Sequence, residues 1–141
     1  VGNRWDGEDR ANQAAPAIDV PPGTIGTATL TVAAEHLASR IKDVMLPPVL
    51  ATPVMIMLME NAALNALRPY FKPGETAVGT HVDVRHLAAT PPGRTVTAKA
   101  TVTGTAGRRV SFTVEAHDGE RLIGTGAHER SLVDLERIAK G

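Results

Sequence analysis

Glu60 is the residue of this chain that is hardest to explain as ordinary structure. On a helix its neighbours three and four positions away, Ile56, Met57, Ala63 and Leu64, are all apolar, and about 100° of rotation separates it from Asn61, so the pattern turns its carboxylate inward. A lone carboxylate in apolar surroundings must be paired, hydrogen-bonded or neutralised. A structural role meets that demand too, if the side chain reaches the helix edge or accepts hydrogen bonds. His86 poses the same question. The even positions of its segment are the apolar ones, and His86 shares their parity with Val82 and Val84, whereas His81, Asp83 and Arg85 alternate onto the other face. One histidine on an apolar face is commonly a satisfied core residue. A carboxylate and an imidazole in one small core can stabilise one another and supply acid–base chemistry near neutral pH.

Thr52 and Pro53 form a helix-start pair, with Thr available as N-cap and Pro suited to the first helical position. A capping hydroxyl can still touch a substrate, and the helix N-terminus offers N–H groups and a positive dipole end that suit an acyl oxygen or an oxyanion. Eight helical residues rise about 12 Å, so Thr52 and Glu60 cannot bond within one regular helix. Either the helix starts after Thr52, or the two residues serve different parts of a substrate. Other constellations are weaker. His117 and His128 fall on different strands without metal-ligand spacing, no GxSxG elbow or Cys nucleophile is present, and Gly79 and Gly93 form no phosphate loop. No metal is inferred. Arg108, Arg109, Arg121 and Arg130 are of a type that holds phosphates, but arginines on strand faces are usually solvated.

The elements that must position these residues are legible from periodicity. Thr24 to Val32 alternates as a half-buried strand, Ala33 to Asp43 reads as a short helical or irregular connection, and a helix runs from Thr52-Pro53 to about Arg68. That helix is apolar nearly all round, with Asn61, Asn65 and Arg68 as a polar stripe, so it belongs in the core with a narrow edge exposed. Segments 77–89, 95–103, 109–117 and 122–133 read as one-sided strands, the last broken by Gly124 and Gly126, where backbone approaches something closely. Turns are expected at Pro91-Pro92-Gly93, Ala106-Gly107 and Asp118-Gly119, and a short helix at 134–139. The order, strand, long helix, four strands, fits an α+β fold: a curved antiparallel sheet of about five strands wrapped around one apolar helix.

Composition narrows the function classes. A length of 141 residues bounds the chain to one domain, here residues 23–141, preceded by a polar, Ala-rich arm at 1–22 that takes its order from contact with the domain or a partner. With 15 basic against 15 acidic residues there is no global field toward nucleic acid or an anionic membrane, and the aromatics Trp5, Tyr70, Phe71 and Phe112 form no series of base-stacking platforms. The absence of cysteine excludes disulfides and Cys-ligated metal. The first nineteen residues lack the apolar core of a signal peptide, and the apolar stretch from Val49 to Leu67 is interrupted by Pro53, Glu60, Asn61 and Asn65, so the expectation is a cytoplasmic protein without a membrane span.

Several segments match a known family in order and spacing. Val49-Leu50-Ala51-Thr52-Pro53, Leu58-Met59-Glu60, Val78-Gly79-Thr80, His86-Leu87-Ala88-Ala89-Thr90-Pro91-Pro92-Gly93, Ala116-His117-Asp118-Gly119 and Gly126-Ala127-His128-Glu129-Arg130 together resemble the hotdog-fold thioesterases of the fluoroacetyl-CoA thioesterase type, over about residues 24–137. The resemblance implies catalytic roles for Thr52, Glu60 and His86, acyl-carbonyl contact at Gly79, substrate contact at Arg130, and a homodimer with the acyl group near the subunit interface. Met45-Leu46-Pro47-Pro48 departs from it, with no aromatic residue where the fluoroacetate-specific enzyme carries a phenylalanine-bearing lid. The leading reading is therefore an acyl-CoA thioesterase with His86 as general base, Glu60 orienting or polarising the reacting groups or forming a transient anhydride, Thr52 as nucleophile or positioning hydroxyl, and no cofactor beyond the CoA of the substrate. A hotdog-fold acyl-CoA hydratase and a non-catalytic acyl-CoA-binding module are the alternatives. The candidate pocket lining is aliphatic: Met45, Leu46, Val49, Met55, Met57 and Met59.

Overall fold

A computed structural model describes residues 17–139; residues 1–16 of the expected arm lie outside them. Five strands form one antiparallel sheet: β1 (Ile25–Thr31), β2 (Glu75–His86), β3 (Thr95–Ala106), β4 (Arg109–Asp118) and β5 (Arg121–Asp134), in the spatial order β1-β3-β4-β5-β2. The sequence order predicts a meander of β2, β3, β4 and β5, but only β3, β4 and β5 form one, and β2 pairs with β5 instead of β3. β1 and β2 are the two edges of the sheet. The helices are α1 (Ala38–Ile41), α2 (Thr52–Leu67) and α3 (Leu135–Ala139).

α2 lies across the concave face of the sheet because its apolar side matches the inward parity of the central strands. It buries Met55, Leu58, Met59, Ala62, Ala63, Ala66 and Leu67 over Val96, Ala98, Ala100 and Val102 of β3 and Val110, Phe112, Val114 and Ala116 of β4. Its exposed side carries Pro53, Met57, Asn61 and Arg68. The polar stripe also fastens the helix to an edge: Asn65 Nδ2 donates to Thr27 O at 2.8 Å, and Arg68 Nε donates to Asn65 Oδ1 at 2.7 Å. Ile18 and Val20 are buried in the same core, so the chain joins it before Gly23, and Ile18 N–H donates to Gly107 O.

Two glycines set how closely helix and sheet approach. A Cβ on Gly26 would stand 2.1 Å from Ala62 O and 2.4 Å from Ala66 N, so β1 and α2 touch backbone to backbone. Gly26→Ala is expected to lower stability by about 3 kcal/mol or more, since no flexible side chain can move aside, whereas Gly104→Ala, with nothing within 4 Å of the new methyl, changes it little. Urea midpoints of the two variants check this. At Gly124 a Cβ would meet Met55 Sδ at 2.5 Å, which is the close approach that the interrupted strand signalled.

The alternation expected along β2 needs one correction. The register between β2 and β5 shifts between Gly79 and His81, and such a bulge moves every later side chain to the other parity. Ala77, an odd position, is buried on the core side of the bulge, whereas Val78 is only half-buried. Beyond the bulge the even residues Val82, Val84 and His86 lie level with His128, Gly126 and Gly124 of β5. Gly79 and His86 therefore share a face despite opposite parity.

Candidate active site

Thr52 and His86 meet: Thr52 Oγ1 lies 2.8 Å from His86 Nδ1. The contact joins the first residue of α2 to the last of β2, and Gly124, level with His86 on β5, leaves room for Met55 and Met59 to settle against the sheet. Thr52 is not the helix cap that its position beside Pro53 implied. Ala51 holds the N-cap position and makes no side-chain bond. The helix has little need of one, because Pro53 carries no N–H and the N–H groups of Val54 and Met55 both reach Ala51 O at 3.1 Å. The Thr52 hydroxyl is thereby left to the imidazole, and the helix does include Thr52, so Glu60 sits beyond its reach.

His86 is half-buried. Burial pushes its pKa below the ordinary 6.5, with the Ala88 backbone acting in the opposite sense, so the ring is neutral and basic at pH 7. Its Nε2 is buried and has no hydrogen-bond partner among the described residues. A cleft of about 370 Å³ opens over the pair, lined among others by Lys42, Leu46, Val49, Leu50, Leu87 and Ala88. The aliphatic lining expected from the sequence holds for Leu46 and Val49 but not for the methionines. Met55 and Met59 are core, and Met45 and Met57 are exposed.

Glu60 does face the sheet, but it is not paired with His86. Its side chain is 37% exposed, with Oε2 4.0 Å from Arg130 Nη1. A Cβ at Gly79 would lie 2.7 Å from that carboxylate oxygen and 3.3 Å from His128 Cε1, so the glycine lets the Glu60 carboxylate approach the strand closely. Arg130 is buried; its Nη2 donates to Ala77 O at 2.7 Å and its Nη1 lies 3.2 Å from His128 Nε2. Burial lowers the Arg130 pKa from its usual high value and the Glu60 carboxylate opposes that. Glu60, Gly79 and Arg130, three of the five residues expected in the site, thus form a second cluster apart from Thr52 and His86. The imidazole beside Glu60 is that of His128, which spacing alone passed over; its shared parity with Arg130 and Leu132 on β5 was the available signal. Of the remaining arginines, Arg108 is buried with Nε donating to Leu132 O at 2.9 Å. Among the described residues there is no group of three or more metal-ligating side chains, and no helix is long and apolar enough to cross a membrane.

Known structures share this fold. A solved structure of fluoroacetyl-CoA thioesterase superposes with a TM-score of 0.81 at 38% identity, covering 86% of this chain and 94% of the other. A thioesterase superfamily member from Thermus thermophilus gives 0.79 at 30% identity over 86% and 90%. The fold and these neighbours define the class: a hotdog-fold thioesterase. A profile described as fluoroacetyl-CoA-specific thioesterase matches residues 32–136, and the fluoroacetyl-CoA thioesterase of Streptantibioticus cattleyicolor is 50% identical over 92 residues, 65% of this chain and 66% of that protein. The chain belongs to the fluoroacetyl-CoA-specific thioesterase family.

Proposed function

We propose that this chain hydrolyses acyl-CoA thioesters to a carboxylic acid and free CoA, in a site completed by a second copy of itself. The observation that carries the reading is the 2.8 Å Thr52–His86 contact at an aliphatic cleft, a hydroxyl held against an imidazole that burial keeps neutral. The contact serves either of two routes. With the hydroxyl donating, Nδ1 takes its proton, Oγ1 attacks the carbonyl, the thiolate leaves with that proton as CoA thiol, and water then cleaves the acyl-threonine. With Thr52 as a positioning hydroxyl, it passes a proton from an attacking water to Nδ1, the hydroxide adds to the carbonyl, and the thiolate leaves with that proton as CoA thiol. Family membership favours hydrolysis over hydration or simple binding.

The second copy enters through β2. Among the described residues this strand is an unpaired edge, with Val82 40% exposed, and such an edge is a template for pairing. In an antiparallel β2–β2 contact with its two-fold axis at Asp83, level residues share a face, Val82 with Val84 and His81 with Arg85, and the extra residue of the bulge then brings Gly79 of one copy opposite His86 of the other. Thr52 and His86 of each copy would then face the Gly79–Glu60–Arg130 cluster of its mate. In this reading the Gly79 N–H binds the developing oxyanion, Glu60 orients the reacting groups, and Arg130 holds the CoA portion.

The experiment is thiol release over a panel of acyl-CoAs. With Leu46 and Val49 rather than aromatic rings at the cleft, short to medium unbranched or aryl acyl-CoAs are expected to turn over at least as well as fluoroacetyl-CoA. A preference of about a hundredfold for fluoroacetyl-CoA over acetyl-CoA would overturn the specificity. Binding without thiol release from any member of the panel would overturn the activity.

A further inference from the structure

We propose that His128 is a positioning residue for this site, clamping the β2 bulge that presents Gly79 to Glu60 and holding the Arg130 guanidinium beside it. The kinetic part of the test rests on the thioesterase reading; the geometry does not. His128 is 1% exposed and stacks on Phe112 across the β4–β5 ladder, with ring centroids 5.8 Å apart at 26°. Its Nδ1 lies 2.8 Å from His81 O. A carbonyl only accepts, so Nδ1 carries the hydrogen and Nε2 is bare. Nε2 in turn lies 3.2 Å from Arg130 Nη1, a group that only donates. Both ring nitrogens are therefore committed, and they are committed to the site.

The bulge falls between Gly79 and His81, and its two flanking carbonyls are held from β5. Arg130 Nη2 donates to Ala77 O at 2.7 Å on one side, and His128 Nδ1 donates to His81 O on the other. The Nη1–Nε2 bond joins the two clamps, with Gly79 between them. Protonation of His128 would set an N–H of the ring against an N–H of the guanidinium. The charged and titratable groups acting on the ring are Glu60 from α2, His81 from β2 and Arg130 from β5; β4 supplies the uncharged Phe112. Burial, Arg130 and His81 disfavour the imidazolium, against the His81 carbonyl and Glu60. The clamp requires the neutral ring.

His128→Phe keeps an aromatic ring for the Phe112 stack and removes both bonds. It is expected to raise KM for a turned-over acyl-CoA about tenfold, Arg130→Ala is expected to do the same, and the double variant is expected to be no worse than either single one. His128→Gln offers an amide oxygen in place of Nε2 and should bring KM back to within about threefold of wild type. Nitrogen-15 NMR of wild-type His128 gives a readout independent of turnover and of how the variants fold: the Nδ1–H tautomer, with no titration near the ordinary value of about 6.5. Additive effects in the double variant, an unchanged KM in His128→Phe, an Nε2–H tautomer or a ring titrating near its ordinary value would each overturn the clamp. Wild-type protein that releases no thiol would sink the thioesterase reading, leaving the NMR result to decide the clamp by itself.

Discussion

Co-expressing two crippled variants, Glu60→Ala and His86→Ala, is expected to restore about a quarter of wild-type turnover, although each variant alone falls at least tenfold. The reasoning starts from α2. A regular helix holds Glu60 about 12 Å along its axis from Thr52, and the structure pairs Thr52 with His86 and Glu60 with Arg130. If each site draws one cluster from each copy, a mixed dimer has one site with both defects and one with neither. Random pairing makes about half the dimers mixed, and half of their sites intact. Differently tagged chains and a thiol-release assay check the number, at about a quarter for the unfractionated mixture and about half for the doubly purified fraction, which holds only mixed dimers. Absence of recovery, with light scattering showing a dimer, would place each site within one chain; near-wild-type turnover in either single variant would return that residue to a structural role.

Thr52→Ala is expected to cost at least tenfold in turnover with almost no change in melting temperature. A helix cap lost to alanine costs about 0.5–2 kcal/mol, but Thr52 is no cap: Ala51 occupies that position and the first-turn N–H groups of Val54 and Met55 already have an acceptor. What the substitution removes is the partner of His86 Nδ1. Thr52→Ser keeps the hydroxyl and should keep most of the activity. Mass spectrometry of quenched wild-type reactions separates the two routes, since only attack by Oγ1 leaves an acyl group on Thr52. A clear drop in melting temperature with turnover intact would return Thr52 to the capping role.

The elements were legible because burial here follows simple periods. The strand parities of β3 and β4 and the apolar face of α2 are plain in the sequence, as are the two glycines that break β5, and the ends agree to within a few residues. The Thr52 hydroxyl was read through its local neighbours, and a long-range partner, His86, took it instead. Alternation along β2 assigned Val78 to the same face as Val82 and Val84, since a bulge leaves no mark in a pattern of period two. Glu60 and His86 both turned inward as their settings required, yet onto different parts of the sheet, because inward is a direction and not a place. His128 was missed because it was tested as a metal ligand rather than as a side chain shared between two hydrogen-bonded neighbours.

The methionines of this chain divide into two pairs that meet an oxidant differently. Met55 and Met59 are 0% and 2% exposed, sealed against Gly124, whereas Met45 and Met57 are 88% and 46% exposed. Peroxide converts an accessible thioether to a polar sulfoxide far sooner than an enclosed one. Met45 precedes Leu46 and Pro47, which line the cleft, so mild oxidative stress would roughen the rim of the entrance and spare the packing beneath it. With no cysteine in the chain, sulfur damage starts at that doorway, where methionine sulfoxide reductase can still reach it.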